Sequence, residues 1–518
     1  MAKTKTGLVI FKKYFGEGTA ETEKDFLEKA FLPFDRYLEI IDVPSFAPRL
    51  IVGKKGSGKS ALVKYIQYQM ENAGLPALLI GPKDIATGNI GNMSSLGNLT
   101  REYENALLKT IAIKIGEDES GIFANDEENM LIKLAQEEGT RKLDGVEKLL
   151  KLLQPIGKTV SDIDFSKLML QGSNINTKQI QEAITKNLDE DKKVFYVLID
   201  DTDQIASPDE PSHLNRIWAF LLASRAIMGE CENIKIFITL RNEVWRRLGS
   251  VKSGQRDQVD HFRNLVYPLI PTENDIKEII NKRLYLCVKD LKLENKKKNN
   301  YEYFFENATV KIPGTEKTYR YWEDFIVKSS RNRPRDAIQL ISALSKKAIK
   351  EKNYRIESQD VADVLPLYSE ERVTDLQREV EEECDKIKEI VRAFSKFKAD
   401  SGSFSFSPTC LLENLRTLPS RFSITILGIT IRDDDNSIFE LWKYLYEIGF
   451  LNARTSDRRE KDGYRHITVD NEPDLVSKTR WNDMQSKLWE IHPAYRSFLI
   501  EEQKNNSFSF GIPKKVKK

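Results

Sequence analysis

The stretch Arg49–Leu62, RLIVGKKGSGKSAL, passes from an apolar strand through Gly53-Lys54-Lys55-Gly56-Ser57-Gly58-Lys59-Ser60 into a helix. Glycines at 53, 56 and 58 free the backbone to curl until successive N–H groups and the helix N-terminus face one anion. The spacing G-x-x-x-x-G-K-S is that of a phosphate-binding loop, with Lys59 directed at β- and γ-phosphates and the Ser60 hydroxyl at Mg²⁺. Gly53, Lys54, Lys55, Gly56, Ser57, Gly58, Lys59, Ser60 and Ala61 are therefore the expected nucleotide contacts.

Working outward, a helix is expected at Ser60–Glu71 and a second strand at Ala77–Ile80, an order that implies a parallel α/β sheet. From about Thr100 to Leu188 the pattern is helical, with Tyr103, Leu107 and Ile111 on one face and Val146, Leu149, Leu150 and Leu153 on another. This reads as a helical insertion. The sheet resumes at Val194–Ile199, continuously apolar as an inner parallel strand should be. Ile234–Leu240 follows a helix around Leu214–Met228, and Leu265–Pro271 is the last expected strand.

A phosphate loop binds nucleotide, but hydrolysis needs a second acidic site. In YVLIDDTDQI, Asp200 ends the apolar strand within reach of the Mg²⁺ shell, and Asp201 beside it can orient or activate water. Asp203 is a third carboxylate, a helix cap or an arginine's partner. If Ile234–Leu240 lies beside that strand, Thr239 and Arg241 project from the carboxyl edge of the sheet, where ligands bind in open α/β folds. Arg241 then faces the γ-phosphate or makes an ordinary ion pair.

Beyond Pro271 the pattern becomes short helices (Asp275–Leu286, Tyr321–Ser329, Arg335–Ile349, Ser358–Val364), expected to form an all-helical lid. A long helix, Glu370–Phe394, carries Val373, Leu376, Val380, Ile387, Ile390 and Phe394 at a/d spacing, interrupted by Glu383. It reads as a linker helix packed on its neighbours, with a dimerising coiled coil as the alternative. Helices at Cys410–Leu415 and Ser437–Ile448, then Gly449–Arg454, a charged turn and Tyr464–Val469, suit a winged helix. Arg458, Arg459 and Lys461 sit at its wing, flanked by Arg454 and Arg465, and could meet DNA phosphates; Asp457, Glu460 and Asp462 are interleaved, so a solvated turn is the other reading. The expected division is 1–48 a lead-in against the ATPase core, 49–271 the P-loop core with an insertion at about 100–190, 272–368 the lid, 369–398 the linker, and 399–518 the winged helix with a basic tail.

Composition narrows the rest. At 518 residues about three or four domains are expected. With 81 Lys+Arg against 79 Asp+Glu the net charge is +2, so any basic site is local. Cys231, Cys287, Cys384 and Cys410 are widely spaced with no C-x-x-C, which argues against a zinc site or disulfide framework and suits a reducing cytoplasm. No run of about 18 apolar residues is present, so no membrane span is expected. Pro513–Lys518, PKKVKK, reads as a solvated tail or an import-like signal.

Taken with their order, GKKGSGKS (Gly53–Ser60), LIDDTDQI (Leu198–Ile205), FITLRNEVW (Phe237–Trp245) and SSRNRPRDAIQL (Ser329–Leu340) resemble the STAND/AAA+-type P-loop ATPases, notably KAP-like and origin-recognition-like members with a winged-helix tail. The resemblance implies ATP and Mg²⁺ as ligands. It implies Lys59 and Ser60 on phosphate and Mg²⁺, Asp200 (a Mg²⁺ ligand) and Asp201 as the second acidic motif, Arg241 as a sensor, and Arg333 or Arg335 as a second sensor from the lid. Where the family has Asp-Glu this chain has Asp200-Asp201, which implies slow turnover. The implied function is a nucleotide-driven switch in prokaryotic defence or DNA transactions, with DNA, a protein partner or further copies of the chain as candidate partners. A DNA-binding initiator licensed by ATP and a non-hydrolysing nucleotide-binding scaffold are the alternatives.

Overall fold

The computed structural model describes residues 2–16, 24–34, 39–42, 46–81, 95–118, 177–190, 193–204, 213–249, 256–294, 296–313, 318–460 and 463–509. Two helices, α1 (Ala2–Tyr14) and α2 (Lys24–Ala30), precede five strands, β1 (Arg49–Gly53), β2 (Ala77–Ile80), β3 (Phe195–Ile199), β4 (Ile234–Arg241) and β5 (Val266–Pro268). They form one sheet in the order β2-β3-β4-β1-β5, every neighbouring pair parallel. The fold is thus the expected P-loop α/β sheet. Between the strands run α3 (Lys59–Asn72), α4 (Leu96–Asp118), α5 (Thr177–Glu190), α6 (His213–Glu230), α7 (Asn242–Leu248) and α8 (Arg256–Arg263). Val197, Leu198 and Ile199 of β3 and Ile236, Phe237 and Ile238 of β4 are fully buried, which explains why these strands read as unbroken apolar runs. Tyr103 of α4 meets Phe220 of α6 edge-on at 5.6 Å, anchoring the start of the helical insertion. The part of that insertion at 119–176, with Val146, Leu149, Leu150 and Leu153, lies outside the described residues.

The chain divides into two compact units, Leu27–Leu269 around this sheet, and Met1–Phe26 with Ile270–Lys518. The N-terminal segment is therefore not a single lead-in to the P-loop core. Leu8, Phe11, Tyr14 and Phe15 share a core with Ile276, Ile280 and Leu284 of α9 (Glu273–Asp290), and the Phe11 ring packs at a tilt against Phe304 at 4.5 Å. Apolar side chains one helical turn apart on α1 fill a groove that the helical domain would otherwise leave open.

The lid is not wholly helical either. A hairpin of β6 (Thr309–Lys311) and β7 (Tyr319–Tyr321) precedes α10 (Trp322–Lys328), α11 (Pro334–Lys350) and α12 (Ser358–Val380). The expected helices at Ser358–Val364 and from Glu370 onward are one, with Pro366 inside it. It stops short of Phe394: turns at 381–386 separate it from α13 (Ile387–Ala393). Glu383 sits at that break, 3% exposed, accepting a hydrogen bond from the Tyr444 hydroxyl at 3.1 Å. Val373, Leu376, Val380, Ile387, Ile390 and Phe394 are buried in the core of the C-terminal domain, so the a/d stripe is used within the chain.

That domain contains β8 (Ser405–Phe406), α14 (Pro408–Arg416), β9 (Thr425–Ile426), β10 (Ile429–Thr430), α15 (Asp435–Glu447), β11 (Leu451–Ser456), β12 (Tyr464–Ile467), α16 (Trp481–Gln485), β13 (Leu488–Ile491) and α17 (Pro493–Ser509). Helix, helix, and the β11–β12 hairpin follow winged-helix order. One strand departs from the expectation: β13 inserts between β11 and β8, giving an antiparallel sheet β12-β11-β13-β8. Lys461 and the tail Pro513–Lys518 lie outside the described residues.

Candidate nucleotide site

β1 ends at Gly53, and the reason for glycine is steric: a Cβ there would lie 2.6 Å from the Ser57 Oγ and 2.9 Å from the Leu269 carbonyl oxygen. Gly56 (φ 81°) and Gly58 (φ 104°) then turn the loop through left-handed conformations that side chains rarely adopt. Gly58 is the N-cap of α3, which has no side-chain cap and no acidic residue in its first turn. Its leading N–H groups and positive dipole end are thereby kept for an anion.

Lys59 opens that helix and is only 7% exposed, its Nζ donating to the carbonyls of Gly53 at 2.8 Å and Lys54 at 3.2 Å. Burial pulls its pKa below the ordinary lysine range, and the charges of Asp203, Glu243 and Asp200 work against that pull. The ammonium thus stands among carboxylates. Ser57, beside it, has a buried Oγ with no hydrogen-bond partner among the described residues.

The acidic half is built by β3 and β4. Their register sets Ile199 against Ile238, which brings Asp200 next to Thr239. The Thr239 hydroxyl donates to Asp200 Oδ1 at 2.7 Å and accepts the Asp201 backbone N–H at 3.0 Å. Asp201 takes a left-handed φ of 51°, uncommon outside glycine though tolerated by Asp. Burial first, then the neighbouring Asp200 and Asp203, push its pKa up to about 6.

Asp203, in the turn Thr202–Gln204, is the arginine's partner: its Oδ2 lies 2.9 Å from the Arg241 Nε. Its buried Oδ1 has no hydrogen-bond partner among the described residues. Arg241, the last residue of β4, pairs in register with Gly53 and so stands at the entrance of the phosphate loop. The expected adjacency of the two strands is therefore observed, and Arg241 engages Asp203.

Two features of the site are not evident from the sequence pattern. Thr239 reads in the sequence as a polar strand tip, and the structure adds that its hydroxyl fixes Asp200. Glu243, in the first turn of α7, bears on the Lys59 charge, and its place two residues after Arg241 is the available signal. Arg333 and Arg335 belong to the other compact unit. Arg333 is 5% exposed and gives Nη1 and Nη2 to the two Glu379 oxygens at 2.5 and 2.9 Å, while Arg335 is half-buried.

Loop, acidic strand end and adjoining polar strand define the class: a P-loop nucleotide-site architecture on a parallel α/β sheet. More particularly, the family model described as the FunZ-associated C-terminal helical domain matches residues 274–377. No curated protein matches the chain. Among solved structures, it is similar to the ORC2 protein of Aeropyrum pernix in its ADPNP-ADP complexes, at 11% identity and a TM-score of 0.38 over 96% of this chain and 98% of that one. Cdc6p from Pyrobaculum aerophilum matches at 12% identity and a TM-score of 0.33, over 96% and 98%. Drosophila ORC bound to DNA matches at 9% identity and a TM-score of 0.32, over 91% and 87%.

Proposed function

We propose that the chain is an ATP-binding and slowly ATP-hydrolysing switch of the AAA+/STAND kind, whose nucleotide state is passed to the lid and the winged-helix-like domain. The observation that carries this reading is the buried Lys59 at the head of α3, influenced by Asp200 and Asp203, with Asp201 raised to about 6 beside them. Loop N–H groups and Lys59 hold the phosphates. Ser60 and Asp200 are hard oxygen donors suited to Mg²⁺; among the described residues no cluster of three acidic, His or Cys ligands is arranged to hold a metal. That donor set fits an ion bound through one carboxylate, water and the substrate's own phosphates. Such an ion would neutralise charge on the phosphate oxygens.

Asp201 orients the attacking water and takes its proton. The water oxygen bonds to the γ-phosphorus, the bond to the β–γ bridging oxygen breaks, and ADP and phosphate leave. Thr239 keeps Asp200 in place through this step. Arg241, freed from or shared with Asp203, meets the γ-phosphate. Four unpaired cysteine thiols accord with a reducing compartment, and among the described residues no helix is long and apolar enough to cross a membrane.

The test is ATP turnover by the purified chain against Lys59→Ala and Asp200→Asn. Each variant should lose about 10²-fold or more, the scale of removing one positioned charge from a phosphoryl-transfer site. Equal turnover in all three proteins would sink the assignment. A second reading, an ATPase acting on DNA, is favoured by one observation: on the β11–β12 wing Arg459 is 86% exposed above an Asp457 side chain only 11% exposed.

A further inference from the structure

In a helix-turn-helix the second helix enters the major groove with its N-terminal residues against base edges. Here that helix is α15, and its N-terminus is closed to such a role. Asp434 caps it, accepting from the N–H groups of Asn436 and Ser437 at 3.0 Å each. Asp433 and Asp435 flank the cap and both engage Arg416. The Asn436 side chain, the group best able to read a base, is held by the Lys478 ammonium.

The outer face of the helix is covered as well. Trp481 of α16 packs edge-on against Phe439 at 5.8 Å and Trp442 at 6.5 Å, and Lys478 lies over the Phe439 ring at 5.6 Å. Along α15 Asp435, Asn436 and Glu440 are exposed, and the Lys443 side chain is 43% exposed. The exposed cations at its N-terminal end, Arg416 and Arg432, stand beside Asp433, Asp434 and Asp435, and Lys443 lies 3.8 Å from Glu447, so the helix offers phosphates no net positive surface.

The wing is the reverse. Asp457 lies beneath Arg459, which binds it through Nε and Nη2 at 3.1 Å each, and 3.7 Å from the Arg465 Nε. Arg465 is 54% exposed and Arg458 is exposed beside it. On the adjoining strands Glu490, 5% exposed, is surrounded by Arg454 at 2.6 Å, His466 at 2.9 Å and Arg496 at 3.1 Å. Asp457 and Glu490 are submerged, Glu460 is exposed, and the guanidinium groups of Arg458, Arg459 and Arg465 outnumber it among the described residues at the surface of the wing.

We propose that this domain grips a nucleic-acid duplex by its backbone phosphates through the wing, chiefly Arg458, Arg459 and Arg465, while α15 stays out of the groove and no bases are read. The inference rests on the second, DNA-acting reading above and is independent of the hydrolysis chemistry. Affinity without sequence preference follows, because phosphate contacts position a protein but carry no base information.

Fluorescence anisotropy of the full chain with several unrelated duplexes tests this. Affinities should agree within about threefold across sequences, and Arg458→Glu/Arg459→Glu/Arg465→Glu should lower all of them by about tenfold or more. The milder Arg→Gln triple variant, with its fold checked by circular dichroism, should flatten the slope of log affinity against log salt by about 0.9 for each arginine that met a phosphate. Asn436→Ala and Glu440→Ala should leave binding unchanged, and ATP turnover should be intact in every variant. A sequence preference erased by Asn436→Ala, or binding that survives the triple reversal, overturns the inference while leaving the DNA-acting reading in place. Absence of binding to every duplex overturns both.

Discussion

The Thr239 hydroxyl donates to the Asp200 carboxylate at 2.7 Å, and the same oxygen receives the Asp201 N–H at 3.0 Å. One side chain on β4 therefore fixes both acidic residues at the end of β3. Thr239→Val keeps the shape but leaves an N–H and a carboxylate oxygen without their partner, each a cost of about 1–3 kcal/mol when buried. Turnover should fall by about ten- to a hundredfold with nucleotide affinity nearly unchanged, and Thr239→Ser should restore it. Paired steady-state turnover and equilibrium nucleotide binding check this; a loss confined to affinity would place Thr239 on the ligand instead.

Asp201 gives the site a pH signature. Its folded pKa is raised to about 6 from an ordinary value of 3.8 by burial and by Asp200 and Asp203. Hydrolysis that needs the carboxylate should rise as pH passes upward through about 6, unless bound cation lowers that midpoint. The stability sign is the opposite: the protonated form is favoured in the folded state, so this contribution is fully present below 3.8 and is lost as pH rises through about 6. Asp201→Asn should accordingly raise the melting temperature of the nucleotide-free protein at pH 8, and the gain should vanish near pH 4. Melting curves across that range decide it.

Where strands lay was legible because Val197–Ile199 and Ile236–Ile238 are buried without interruption and leave no polar alternation to confuse the pattern. Their tips were legible too, since Asp200 and Thr239 are the first polar residues at the carboxyl edge. Strand order was not, because any crossover that keeps β1 among parallel neighbours reads the same in one dimension. The destination of α1 was hidden for a related reason: Leu8, Phe11 and Phe15 announce an apolar face but not its partner, which lies more than two hundred residues away in α9. Glu383 did carry a signal. A polar residue in an otherwise apolar a/d register marked the place where the helix ends, and the buried Tyr444 contact supplies the partner that no local pattern predicts.

Gly53 makes a sharper test of the loop than its lysine does. With a Cβ 2.6 Å from Ser57 Oγ and 2.9 Å from a backbone oxygen of Leu269, Gly53→Ala must shift either the loop or the chain after β5. The backbone oxygen cannot rotate aside, so the loop yields. Nucleotide affinity should drop by about tenfold or more while the rest of the sheet stays folded, because the phosphate cradle depends on the path of successive N–H groups. Isothermal titration checks the affinity and far-ultraviolet circular dichroism the fold; unchanged affinity would mean that the curl at Gly53 does not shape the anion site.

Arg333 separates a structural from a sensing role. Its two Nη groups bind both oxygens of Glu379, with both side chains less than a tenth exposed. Burial alone would raise the Glu379 carboxyl, and Arg333 with Arg331 outweighs it, holding the group below the usual carboxylate range. The pair's contribution is therefore present at neutral pH and is lost as pH falls through the lowered pKa. Arg333→Ala strands a buried carboxylate and should cost about 3–5 kcal/mol. Replacing both partners, Arg333→Met with Glu379→Met, should recover most of that loss, because no charge is then left unpaired. A pure sensor predicts the contrary, wild-type stability with nucleotide affinity reduced in Arg333→Ala and not recovered in the double variant. Denaturant unfolding and nucleotide binding measured on the same two proteins distinguish the roles, and the bidentate geometry predicts the first.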